Sequence, residues 1–105
     1  TGPAGPTGAT GPQPSPQLVT GTLTSSATNA AAGVTVAAIA DCPAGKKLLG
    51  GGGTVTTSNG ASLQRVAVQA SAPADADTWR VVGVVVANLT GGQTMNVQAT
   101  AICTT

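Results

Sequence analysis

At 105 residues and 9.9 kDa, the chain has room for one small domain. Four Lys/Arg stand against three Asp/Glu, for a net charge of +1, and there is no histidine, tyrosine or phenylalanine. This argues against nucleic-acid binding, which needs a basic surface for phosphates or aromatic platforms for stacked bases. It also leaves most general acid–base and metal-hydrolase mechanisms without residues, and no apolar run reaches the roughly 18–20 residues of a membrane span. The expectation is a chain that is no enzyme, holds no cofactor and does not insert into a membrane.

Residues 2–13 read Gly2-Pro3-Ala4, Gly5-Pro6-Thr7, Gly8-Ala9-Thr10 and Gly11-Pro12-Gln13. Glycine at every third position lets three polyproline-II chains share an axis that admits no side chain, so Gly2, Gly5, Gly8 and Gly11 are candidate axial residues of a collagen-like triple helix. A Pro/Gly linker with an accidental period is the competing reading. Four triplets are too short to hold a triple helix alone, so the segment is expected to be the end of a longer stalk. Residues 14–17 read as an extended, Pro-rich neck.

From residue 18 the composition turns to strand material. Residues 18–24 and 34–39 alternate loosely, with a small polar loop over 25–33. Two strand pieces, 46–49 and 54–57, are separated by Gly50-Gly51-Gly52-Gly53. Another strand is expected over 63–70, closed by 71–73 and a loop over 74–77. The last two, 78–88 and 93–103, are joined at Thr90-Gly91-Gly92, which signals a hairpin. Short strands at turn-punctuated spacing predict an all-β, small jelly-roll-like β-sandwich.

On the last strand Met95, Val97, Ala99, Ala101 and Cys103 share one face and should point inward. On its predecessor Trp79, Val81, Gly83 and Val85 form one face and Arg80, Val82, Val84 and Val86 the other. A strand apolar on both sides is covered on both sides. One cover is the core, and a neighbouring subunit is the candidate for the other. Much of the apolar content is alanine, which contributes little buried area per residue, so part of the core is expected from oligomerisation.

Cys42 and Cys103 are the only cysteines. They read as a disulfide, implying an oxidising compartment or a particle surface, with two reduced buried thiols as the alternative. The Gly50–Gly53 run is no phosphate loop, because Lys46 and Lys47 precede it. It fits a bulge or close backbone packing. Asp75 and Asp77 give a faint calcium hint that lacks further oxygens, and no metal is expected. Asn88-Leu89-Thr90 is an acceptor sequon in a glycosylating host. Trp79, Arg80 and Arg65 are candidate ligand-binding residues, since a sugar site pairs an aromatic face with polar groups. A lone Trp beside a Val-rich strand is more often core.

The Gly-Pro-Thr and Gly-Ala-Thr triplets over residues 5–10 resemble bacterial and phage collagen-like proteins. That resemblance implies a trimeric β head behind the stalk, as in spore-surface glycoproteins and phage head or tail fibres. In the spore-surface proteins stalk threonines are glycosylated, which would implicate Thr7 and Thr10. The lack of aromatics departs from many C1q-like heads. Together these features predict a homotrimer with a stalk over 1–13, a neck over 14–17 and a β head over 18–105. It would sit on a virion surface or at an extracellular or cell surface, as a phage appendage that attaches to host-surface carbohydrate. The alternative is a ligand-free capping module of a bacterial or spore-surface filament.

Overall fold

The computed structural model describes residues 16–58 and 63–105. The glycine triplets, with Gly2, Gly5, Gly8 and Gly11, and the first half of the neck lie outside the described residues. The strands are β1 (Gln17–Thr20), β2 (Thr24–Ser25), β3 (Thr35–Asp41), β4 (Leu48–Thr57), β5 (Val66–Asp75), β6 (Thr78–Val85) and β7 (Met95–Cys103), and a 3-10 turn spans Leu63–Arg65. They form two antiparallel sheets, so the domain is an all-β sandwich. In the first, β7 is central, with β4 on one side and β1 and β2 in succession along the other; the second runs β3-β6-β5.

The inward face of β7 falls where its alternation places it, with Met95, Val97, Ala99, Ala101 and Cys103 all fully buried. Val81 and Val85 of β6 are equally buried and face them. The Cys42–Cys103 disulfide is formed, tying the end of β3 to the last residue of β7 and so joining the two sheets.

The glycine run does not break a strand. β4 is continuous through Gly50–Gly53, with a register shift between Leu48 and Gly50. Gly51 and Gly53 share the inner face with Val55, opposite Trp79, Val81 and Gly83 of β6. A Cβ at Gly51 would lie 2.5 Å from Trp79 Cγ, one at Gly53 2.6 Å from Val81 Cγ2, and one at Gly83 3.1 Å from Val55 Cγ2. Small residues on one sheet therefore meet large ones on the other, position by position, and the glycines let the layers interdigitate.

Three further expectations change. β5 does not close at residue 70 but runs to Asp75, through Pro73. Proline is tolerated there because β5 is an edge strand, with register shifts at Val68/Ala70 and Pro73/Asp75. The Gly91-Gly92 turn is present, with φ of 71° and 77°, yet it does not make a hairpin. It lies in a crossover, because β6 belongs to one sheet and β7 to the other. The run over 18–24 is two strands rather than one, and the first begins one residue earlier, at Gln17. Between them the Gly21 amide still donates to the Ala99 carbonyl at 2.9 Å. A side chain at Gly21 would collide with the Ile39 carbonyl, so the two sheets approach closely along this side.

Candidate interaction surface

The outer face of the β3-β6-β5 sheet is built from rows set by the strand register. Thr35, Val84 and Ala67 form one row, Ala37, Val82 and Ala70 the next, then Ile39, Arg80 and Ala72, and last Asp41, Thr78 and Asp75. Apart from Arg80 and Thr35, the first three rows are apolar. Val82 is only 8% exposed, whereas Ile39 is 49% exposed. The face thus presents aliphatic side chains to its surroundings, as the two-sided apolar pattern of β6 requires of a strand at the middle of a sheet.

Beside Arg80 the face is indented. A groove of about 320 Å³ is lined by Ala70, Ala72, Pro73, Ala74, Arg80 and Val82. Its walls are low because β5 supplies mainly alanine there. This groove escaped the sequence reading, which ended the strand at residue 70. The available signal was the spacing of Ala70, Ala72 and Ala74, small residues on an extended segment.

The three sequence-selected binding residues do not converge. Trp79 and Arg80 are consecutive in β6 and so point to opposite faces. Trp79 turns inward onto Gly51 and its indole Nε1–H donates to Ser71 Oγ at 3.0 Å, while Arg80 is exposed on the outer face. Arg65 lies at the far end of β6, about 20 Å from Arg80 along the strand. Its guanidinium donates to the Asn88 carbonyl at 2.6 Å, fixing the start of the β6–β7 crossover.

Charge is segregated along the domain. The β3–β4 turn joins Asp41 to Leu48, so the Asp41 end of one sheet coincides with the end of the other at which Gln17 pairs with Cys103 and the chain enters. Asp41, Lys46, Lys47, Asp75, Asp77 and Arg80 all lie in that half, and only Arg65 lies in the other. The carboxylates are organised by hydrogen bonds: Thr78 Oγ1 donates to Asp41 Oδ1, and the Asp77 amide donates to Asp75 Oδ1 at 3.1 Å. A hydrogen bond from the Asp77 side chain, with the Asp77 amide and Thr78 adding to it, lowers the Asp75 pKa. The same side-chain contact and the charge of Asp75 raise that of Asp77. Asp77 thus holds its proton to higher pH than Asp75. Among the described residues no group of three or more His, Cys, Asp or Glu side chains is placed to hold a metal ion.

At the opposite end, where Arg65 is the one charged side chain among the described residues, the loops bind one another. Asn29 donates its amide to the Gln93 carbonyl at 2.8 Å and accepts from the Gly92 amide at 2.8 Å, and Asn88 Oδ1 accepts from the Ala32 amide at 2.8 Å. The outer face of the other sheet is polar along most of its length, with Ser25, Thr54, Thr56, Asn96, Gln98 and Thr100, and turns aliphatic at the entry end, where Leu18 pairs with Ile102 and is 68% exposed. Its amides are engaged within the chain, since Ser25 Oγ donates to Asn96 Oδ1 at 2.8 Å and Gln98 Nε2 to the Gly21 carbonyl at 3.0 Å. No family model, curated protein or solved structure matches this chain. The outer face of the β3-β6-β5 sheet combines exposed aliphatic side chains with a groove and bordering charges, and is the candidate interaction surface.

Proposed function

We propose that the chain is a non-enzymatic fibre protein whose β head, residues 18–105, trimerises a collagen-like shaft running through residues 1–13. Its setting is a phage virion, as a head or tail fibre that attaches to host-surface glycans. The observation that carries this reading is the aliphatic outer face of the β3-β6-β5 sheet. A second copy would cover Ile39, Ala37, Ala67, Ala70 and Ala72 there, and three chains are the number that a Gly-X-Y repeat requires. The strand orders support the finer reading of a jelly roll. From β2 onward successive strands cross between the sheets, with β5–β6 the one direct hairpin between neighbours among the described residues.

The entry point fits a coaxial fibre. β1 begins beside Cys103, so a shaft leaving from Gln17 departs from one end, and the mutually bonded loops form the opposite tip. Light scattering on the intact chain tests the reading. A mass of three times 9.9 kDa supports it, and a monomer overturns it.

One observation favours a second reading, a ligand-free cap on a bacterial or spore-surface filament. The polar groups of the tip loops are largely spent on one another. A glycan array separates the two, since binding to host polysaccharides favours the attachment role and silence across them favours the cap.

A further inference from the structure

We propose that the three heads form a heterologous ring in which Ile39 and Asp41 of one copy seat in the alanine-lined groove and against Arg80 of the next. This inference rests on the trimer reading above and specifies its interface. One row of the sheet carries both halves of the contact. Ile39 stands on β3 at one edge, Ala72 lines the groove on β5 at the other, and Arg80 lies between them. A knob on one edge and a hole on the other edge of the same face do not match under a two-fold axis that pairs each edge with itself. They match head to tail, and such contacts either close into rings or run on as filaments. A three-chain shaft closes the ring at three.

Charge is arranged in the same sense. Asp41 follows Ile39 by two residues, so it lies on the same face of β3, and it is exposed. Its carboxylate is oriented by the Thr78 hydroxyl. Arg80 forms part of the groove. Each copy therefore brings a carboxylate with its knob and a guanidinium with its hole. Seating the knob brings Asp41 of one copy to Arg80 of the next at every contact of the ring, with Asp75 one row further along. Three Arg80 side chains directed at a common axis without those carboxylates would repel one another.

The test uses the full chain, with its disulfide intact, in light scattering. Ile39→Asp removes the knob and Ala72→Trp fills the hole. Both sites are exposed, and a cooperative thermal transition checks that each variant is folded, its midpoint falling as association is lost. Each variant alone is expected to run as a monomer. An equimolar mixture is expected to give a dimer and no trimer, because one intact knob meets one intact hole and nothing is left to extend. Independently, Arg80→Asp is expected to dissociate the trimer and the added change Asp41→Arg to restore it. A wild-type trimer that survives these single substitutions, or a mixture that does not pair as a dimer, overturns the interface and leaves the trimer standing. A monomeric wild-type chain overturns both.

Discussion

The Trp79 indole packs so closely on the Gly51 backbone that a methyl group there would lie 2.5 Å from both Cγ and Cδ2 of the ring and 2.7 Å from the Thr100 carbonyl oxygen. The carbonyl is backbone and has little freedom to move. Gly51→Ala is therefore expected to cost about 1–3 kcal/mol, as overpacking of a core does. Gly52, one residue on and facing outward, has nothing within 4 Å of such a methyl group. Gly52→Ala should change stability by no more than about 1 kcal/mol, with stabilisation as the direction set by the unfolded chain. Urea midpoints of the two variants distinguish a packing glycine from an incidental one.

The disulfide closes a separation of 61 residues between two buried cysteines. By loop-closure entropy, its removal in a Cys42→Ser/Cys103→Ser variant should cost about 4 kcal/mol. For a domain with so small a core that is a large part of the total. Thermal unfolding with and without reductant measures it, and a shift of only a degree or two would rule out the entropic role.

Those two features mark how far the sequence alone could be followed. The inward face of β7 was legible because Met95, Val97, Ala99, Ala101 and Cys103 alternate without interruption. The disulfide was legible because two cysteines and no histidine leave few alternatives. The continuity of β4 was not, because glycine carries neither strand propensity nor a side chain to show which face is buried. Its reason lies on the other sheet, in Trp79 and Val81. The β6–β7 connection misled for a related cause. Gly91-Gly92 specifies a local reversal of the chain, whereas pairing is decided by which sheet has room for each strand. The groove was hidden because a row of alanines has meaning only beside the larger residues that rise around it.

Thr57 Oγ1 is buried with no hydrogen-bond partner among the described residues. Thr57 lies on the inner face of β4 opposite Met95. Replacing the hydroxyl by a methyl of similar shape, in Thr57→Val, removes an unpaired polar atom from an apolar setting. A gain of about 1 kcal/mol is expected, read as a rise in urea midpoint. A loss of stability would mean that the hydroxyl is satisfied.

The Asp75–Asp77 pair should titrate as two distinct groups, seen by carboxyl-carbon NMR. Asp75 is expected below the ordinary aspartate range and Asp77 above it. The signs for stability are opposite. The lowered Asp75 stabilises at pH above its unfolded value, and that contribution is lost as pH falls through its folded pKa. The raised Asp77 stabilises below its unfolded value and loses its contribution as pH rises through its folded pKa. In Asp77→Asn the second dependence is lost, and the first persists through the bonds that the backbone amide at 77 and Thr78 still give Asp75, so stability should no longer fall as pH rises through the range where Asp77 titrates.

Arg65→Ala should loosen the β6–β7 crossover by removing the bond to the Asn88 carbonyl. Because the contact is solvent-exposed, a cost of only about 1 kcal/mol is expected globally. The clearer readout is hydrogen exchange, with faster exchange expected at the Val86 and Ala87 amides, which both donate to the Arg65 carbonyl.

The placement of Gln17 beside Cys103 also has a mechanical side. β1 leaves the entry end and runs antiparallel to β7, paired from Gln17 through Thr20 and held again at Gly21 and β2. Tension drawn along the chain at Gln17 and opposed at the far loops pulls β1 along its own axis, across hydrogen bonds that lie perpendicular to it. All of them share the load at once, instead of failing one after another as in a strand peeled from its end. β7 is in turn riveted through Cys103 to the other sheet. The domain resists being drawn out lengthwise by shear, the loading mode in which even a short strand is hardest to part from its neighbour.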